Sequence, residues 1–399
     1  MKTIQYLVIL ILCLLFVIII VCDTAIDKIE YMINTPKILN AKWKRNKCDH
    51  DLFKMTDVIF KNHGIDYADS NGWHLYLPCT YNFISREINN MPISDNGIYF
   101  IIDNIDEICS KKDLWLNIVG TYGLKTACEL SPRTYVAGNV LDMELLMQNH
   151  VQGNIYIMKK NVQRQKGLHI TNDAKYIMDN RKNYVVVQDL LQNPYLINKR
   201  KINMRIYILV LCKRDKMDVY IFNNGFMYYT KEHFVKNNIS DDVNITTGYV
   251  DRKIYKDNPL THKDFMNYLD DPNRILNETE KQLRTQSPNN DKVISNYLTY
   301  KIHRLMSDVF VCFKDKIGIN PKLHNNLKFQ LFGADIGVSD MLIPQIIEVN
   351  KGPDLSSKDE RDKKLKYNMV VGMFRTVGII NTESFIKMGC DKFIRLLEL

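Results

Sequence analysis

Residues 328–355, KFQLFGADIGVSDMLIPQIIEVNKGPDL, hold the side chains whose types and spacing most suggest chemistry. Two apolar runs, 329–338 and 345–349, flank a turn-rich piece containing Ser339, Asp340 and Pro344. A strand tolerates proline at its first position. The two-residue period of extended chain sets Glu348 and Asn350 on one face, Ile347 and Val349 on the other. If the runs fold back as a hairpin, Asp335 lies across from Glu348. Two carboxylates and an amide oxygen then converge, the hard donors that Mg2+ takes at about 2.1 Å while phosphate oxygens fill its other positions. On spacing alone, a buried strand pair with one acid at its edge accounts for the same residues.

Two further groups have a chemical reading. Residues 154–159 read as a strand ending in Lys159, followed by a polar, basic stretch (160–166) and the turn residue Gly167. An ammonium at a strand end neutralises phosphate charge, and loop N–H groups donate to phosphate oxygens. A plain surface turn fits these residues too. Lys201, Asn203 and Arg205 alternate with Ile202 and Met204, so the three polar side chains share a strand face.

FQLFGAD followed by PQIIEVN resembles the C-terminal signature of tubulin tyrosine ligase and the tubulin tyrosine ligase-like amino-acid ligases. The likeness can be followed from about Leu130 to about Ile379. It implies an α/β (α+β) ATP-grasp fold, two α/β lobes clamping ATP, with Asp335, Glu348 and Asn350 holding the nucleotide's Mg2+. It further implies that Lys159 contacts the α-phosphate side and that residues 164–167, with Lys166 and Gly167, form a loop over the triphosphate. YVVVQDLL (184–191), leading into QNPYLI, resembles the family's strand and hinge. Backbone groups around Asp189 and Leu190 would then bond the adenine edge, with Gln188 beside them. Lys201 would serve the nucleotide. Arg205 would hold the acceptor carboxylate or acyl-phosphate, where a planar bidentate donor suits the task. Thr246 stands in a further nucleotide-side motif.

The chain also departs from the family pattern. Gln165 replaces a glycine, Lys160 a proline or serine, and Asn203 the aspartate expected in ribose or amino-acid binding. Tyr228 stands where the Gly-x-x-Arg motif begun by Gly225 has its arginine. The residues flanking Thr246, including Thr247, are changed.

The elements that must position these groups divide the chain by expectation as follows: a transmembrane anchor (1–23), a basic tether (24–47), a small N-terminal domain (48–129), a central ATP-grasp domain (130–211) and a C-terminal one (212–399). Residues 251–290 read as a polar inserted loop with a short helix near 278–284, and 293–313 as a core helix by its apolar spacing. Residues 219–230 resemble a strand pair.

Residues 4–22 are uncharged and almost wholly apolar, and about 19 residues of helix span the hydrocarbon of a bilayer. A signal peptide has a shorter apolar region and a small-residue cleavage site. Only Lys2 precedes the run, whereas Lys28, Lys37, Lys42, Lys44, Arg45 and Lys47 follow it. A single-pass protein with its body in the cytosol is therefore expected. Sequons at Asn238, Asn244 and Asn277 would mark a lumenal body if used. Nine cysteines without CxxC or metal-like spacing read as reduced thiols.

At 399 residues with a formal charge of +9, the chain can bury a large core and favours acidic partners. It lacks an aromatic–basic recognition motif, so no nucleic acid is expected. The reaction that the resemblance implies joins an amino acid to a glutamate-rich protein tail such as tubulin's, driven by ATP through an acyl-phosphate. The alternative is a membrane-anchored ATP-grasp pseudoenzyme that binds tubulin or another partner. It rests on the departures at Gln165, Asn203, Tyr228 and Thr247.

Overall fold

The computed structural model describes residues 38, 40–45, 54–69, 72–79, 81, 83–162, 167–247, 250–380 and 391–399. The segment expected to span a membrane, 4–22, lies outside these. Among the described residues no helix is long and apolar enough to cross a membrane.

The fold is mixed α/β. Near the N-terminus β1 (Lys42–Lys44), β2 (Asp66–Tyr67), β3 (Leu75–Tyr76) and β4 (Ile98–Tyr99) pair in parallel. A second group, β5 (Thr134–Val136), β6 (Tyr156–Lys159), β7 (Leu168–Thr171) and β8 (Val186–Asp189), forms a separate antiparallel sheet in the order β5-β8-β6-β7. The chain then makes β9 (Leu196–Ile197), the long strands β10 (Arg200–Lys213) and β11 (Lys216–Thr230), and β12 (Thr246–Thr247). It ends with β13 (Leu327–Val338), β14 (Pro344–Asn350) and β15 (Phe393–Glu398). These elements form an eleven-stranded sheet whose path runs β12-β11-β10-β13-β4-β3-β1-β2.

This connectivity cuts across the sequence-based division. Residue 212 lies inside β10. β4 pairs with β13, so the 48–129 segment extends the large sheet and shares its hydrophobic core. Residues 219–230 are one strand, not a strand pair. The 251–290 segment is also more ordered than a polar loop, with helices Ile254–Asp257, His262–Asp270 and Glu278–Gln286. Its apolar anchors are few (Tyr255, Leu260, Phe265 and Leu269) and one buried residue is the charged Glu280, a pattern that periodicity does not detect. The expected core helix does form, as Val293–Val311, burying Ile294, Leu298, Ile302, Leu305, Met306 and Val309.

The four-stranded lobe has two unlike faces because side chains alternate along each strand. Tyr156, Met158 and Val187 pack on one face with Met143, Leu146 and Ile177 from its helices. The other face carries Ile155, Ile157 and Ile170, with half-buried Leu168, Leu190 and Ile245 beside them. Ile245 directly precedes β12, so this thinly covered face looks toward the large sheet. Cys109, Cys128, Cys212 and Cys312 are free thiols, as expected. Cys79 is not, since it is disulfide-bonded.

Candidate functional site

β13 and β14 fold back on each other with Asp335 opposite Glu348 and Gly333 opposite Asn350. Pro344 is the first residue of β14, where its missing N–H costs no interior ladder bond. The register shifts by one just after Asp335, and such bulges re-aim side chains beside functional sites. Asn350 Nδ2 lies 3.4 Å from Asp335 Oδ2 and 3.4 Å from Glu348 Oε1. Turning over that amide would present Oδ1 to the same point, since the two ends of the group are alike in shape.

β10 borders β13 on its other side, with Arg205 opposite Asp335. Arg205 grips the carboxylate with both arms, Nε to Oδ1 at 2.5 Å and Nη2 to Oδ2 at 2.8 Å. Its guanidinium stacks over the Tyr228 ring, 5.3 Å from the centroid. The residue standing at the family-arginine position thus packs on the arginine that remains. Burial pushes the Asp335 carboxyl up, against the pull of Arg205. Burial acts the same way on Glu348, but Lys111, Lys159 and Arg205 outweigh it and hold that carboxyl low. A buried carboxylate facing a half-buried one favours a bound cation. The oxygen-only donor set and its convergence fit Mg2+. Among the described residues no three His, Cys, Asp or Glu side chains cluster as a metal site, so this set needs its amide.

Lys111 was not singled out from the sequence. It opens the Lys111–Leu130 helix behind the N-cap Ser110, and its Nζ lies 3.8 Å from Glu348 Oε2. A cation in the first turn opposes the helix dipole, and the nearby carboxylate compensates. The Ser110-x-x-Asp113 start was legible, but the proximity to Glu348 was not.

Opposite the carboxylates stand two buried lysines, Lys159 and Lys201, each 4% exposed. Lys159 Nζ donates to Gln188 Oε1 at 2.6 Å, and Gln188 in turn donates to Thr134 Oγ1 at 2.8 Å. Lys201 Nζ reaches Leu191 O at 3.5 Å. Burial pushes both ammonium groups down to about 8. For Lys159 the carboxylates of Glu348 and Asp335 oppose that fall and the Lys111 charge adds to it. For Lys201 its neighbour Lys159 lowers it further. Two such cations, with no carboxylate partner among the described residues, form a ready site for an anion. Asn203, on the same face of β10, has its Oδ1 buried with no hydrogen-bond partner among the described residues.

The hinge differs from expectation in its details. The Asp189 amide donates to Arg133 O at 2.8 Å and the Leu190 amide to Ile155 O at 2.9 Å. Neither N–H is available to a base edge, because both complete the strand pairing. The next amide, Leu191 N–H, has no acceptor among the described residues. Leu191 directly follows Leu190, which packs beside the Ile155–Ile157–Ile170 face. Burial also pushes the Asp189 carboxyl up to about 6, against Arg133.

Gly167 has φ +77, and a Cβ there would meet Lys160 Cβ at 2.8 Å, so the turn requires glycine. Lys166 lies outside the described residues. Thr246 is buried in β12 opposite Thr230, beside Ile245 and therefore near the lobe face. Asp335, Glu348, Asn350, Arg205, Lys201 and Lys159 are brought together, while Thr246 sits at the margin.

A sequence model of the tubulin-tyrosine ligase family matches residues 102–385. The chain is 27% identical over 226 residues to a probable beta-tubulin polyglutamylase of Tetrahymena thermophila, covering 55% of this chain and 18% of that protein. It is 24% identical over 237 residues to probable tubulin polyglutamylase ttll-9 of Caenorhabditis elegans, covering 56% and 52%. Against probable tubulin polyglutamylase TTLL9 of Rattus norvegicus it is 28% identical over 187 residues, covering 46% and 36%. The chain therefore spans about half or less of the length of these relatives. With a family match over most of its residues, including every described member of the carboxylate–lysine site, the chain belongs to the tubulin-tyrosine ligase family.

Proposed function

We propose that this protein is an ATP-dependent carboxylate–amine ligase with an ATP-grasp arrangement, adding an amino acid to a glutamate-rich protein tail of the tubulin kind. One observation carries this reading. An oxygen-only set (Asp335, Glu348, Asn350) faces two buried lysines that have no carboxylate partner among the described residues, beside an apolar face next to the Leu191 amide, which has no acceptor among those residues.

In the proposed reaction a substrate carboxylate attacks the γ-phosphorus, breaking its bond to the β-phosphate oxygen so that ADP leaves. An amine then attacks the acyl carbon of the acyl-phosphate, its C–O bond to phosphate breaks, and phosphate and the amine's proton depart. Mg2+ held by Asp335, Glu348 and Asn350 would screen charge on the phosphate oxygens. The chain's own groups do the rest. Lys159 and Lys201 neutralise the triphosphate from the opposite side, the Ile155–Ile157–Ile170 face takes the base, and the Leu191 amide donates to its edge. Arg205, held by Asp335, fixes the direction of its remaining donor toward the acyl group. This is catalysis by positioning and preorganised charge, without a covalent nucleophile.

The test uses the full chain with Mg·ATP, labelled amino acids and a glutamate-rich tail. Incorporation that depends on ATP and disappears in Asp335→Ala supports the ligase. Equal turnover by wild type and variant rejects it. The pseudoenzyme reading draws on one feature, the Asp335 clamp and Tyr228 stacking that occupy Arg205. ATP binding without incorporation of any amino acid would favour it.

Residues 4–22 are proposed to anchor the protein with its body in the cytosol, where ATP is available. Two of the three sequons support that side. Asn244 is 4% exposed, with Nδ2 donating to Asn238 O and Ser240 O. Asn277 spends its amide on Asp340 O. The disulfide at Cys79 favours an oxidising setting instead, and glycan mapping in cells decides between them.

A further inference from the structure

The chain leaves the four-stranded lobe after β8 and joins the large sheet at β9, and residues 190–195 make the crossing. The exit from this hinge is tied to the β13–β14 turn. Tyr195 N donates to Val338 O at 2.8 Å, Asp340 N donates to Asn193 O at 2.9 Å, and Pro194 and Ser339 form an antiparallel bridge.

A second set of ties comes from the inserted helices that sequence reading took for a loop. Tyr195 Oη donates to Glu280 Oε1 at 2.7 Å. Arg274 clasps the same carboxylate, with Nη1 to Oε2 at 2.9 Å and Nη2 to Oε1 at 2.8 Å. Its Nη1 also reaches Tyr195 Oη at 3.1 Å. Asn277 closes the network by donating its backbone N–H to Glu280 Oε2 at 2.8 Å and its Nδ2 to Asp340 O at 2.9 Å. The Arg274 and Glu280 side chains are 8% and 1% exposed. Phe265 meets the Tyr195 ring edge-on, and Arg274 lies over Tyr268. A buried ion pair offers little net stability over an apolar filling of the same shape. An apolar filling, however, would not fix the direction of the Tyr195 hydroxyl or hold the hinge exit to the hairpin turn.

We propose that the Tyr195–Glu280–Arg274 network is a strut that positions the interlobe hinge, holding the Leu191 amide and the base-facing side of the four-stranded lobe in register with the Asp335–Glu348 hairpin. The inference rests on the nucleotide reading above. Tyr195, Glu280 and Arg274 are positioning residues, and none belongs to the groups assigned to ATP. The strut acts on the base edge, so loosening it weakens ligands that carry a base and spares those that do not.

The test measures affinities of the full chain for Mg·ATP and for Mg·tripolyphosphate by calorimetry, with melting curves for each protein. Tyr195→Phe removes one hydrogen bond to a charged group, so a loss of ATP affinity of about 10-fold or more is expected, with tripolyphosphate affinity unchanged. Asn277→Asp keeps the helix cap but removes the donation to Asp340 O. It should show the same selective loss to a smaller degree, and it carries the test alone if Tyr195→Phe does not fold. Equal losses for both ligands, or none in either variant, overturn the strut while leaving the nucleotide site standing. A wild-type protein that binds neither ligand overturns the nucleotide reading, and the strut with it.

Discussion

Replacing Asp335 with asparagine removes a charge while nearly conserving volume, and its cost can be worked from the two Arg205 contacts. Both guanidinium arms end on that carboxylate, at 2.5 and 2.8 Å, with the two side chains 14% and 12% exposed. Breaking one partner of a buried pair costs about 3–5 kcal/mol, because the other charge is left uncompensated. Partial exposure, and relief of the repulsion between Asp335 and Glu348, place this site at the low end, about 2–3 kcal/mol. For a large domain that is a fall in Tm of about 5–10 °C. Mg2+-dependent ATP binding should weaken by about 100-fold or more, beyond the 10–100-fold seen for outer partners of a metal site. The double variant Arg205→Met with Asp335→Leu separates the two effects. It replaces the ion pair with apolar bulk, which is often neutral for stability, and so should recover most of the Tm while Mg·ATP binding stays lost. Thermal melts and calorimetry at fixed Mg2+ read both quantities. Wild-type Mg·ATP affinity in Asp335→Asn, or a double variant less stable than the single one, would refute the reasoning.

Proton linkage offers an independent check. Lys159 and Lys201 fall to about 8 in the fold from an ordinary 10.5, so between those values the unfolded chain binds more protons. Stability of the nucleotide-free protein should therefore rise with pH across that window, with the penalty fully present below about pH 8. Bound triphosphate favours the charged lysines, each about three-quarters deprotonated at pH 8.5 when free, so ATP binding there should take up about 1.5 protons, read from calorimetry in buffers of different ionisation enthalpy. Proton release would contradict this placement of the lysines. Gly225→Ala probes the sheet beneath the site. Its Cβ would run into the Arg205 carbonyl oxygen and the His262 ring, and neither backbone nor a fully buried imidazole gives way cheaply, so a loss of about 3 kcal/mol is expected. A variant that melts with the wild type would show that the strands separate more easily than this packing implies.

The strand pairing at Asp335 and Glu348 was legible because it depends on a local rule, the two-residue alternation of side chains along a strand, which 329–338 and 345–349 obey. The same rule placed Lys201, Asn203 and Arg205 together on β10. That the Asp189 and Leu190 amides are already engaged was not legible, because their partners, Arg133 O and Ile155 O, belong to strand pairings that the run 184–191 does not announce. Lys111 escaped notice because it is distant in sequence from Glu348 and comes close only once its helix packs beside β14.

What the sequence determined by itself is therefore what short-range physics controls: the apolar alternation of β10, β13 and β14, the core helix at 293–311, the glycine demanded at 167, and a family signature written in neighbouring residues. What only the tertiary structure decided is long-range pairing. It merged the 48–129 segment into the large sheet and made Glu280, a charged residue in a polar stretch, one of the most deeply buried groups in the protein. It also turned Tyr228 from a missing arginine into a platform under Arg205. Burial and charge compensation depend on which distant surfaces meet, and no window of neighbouring residues carries that information.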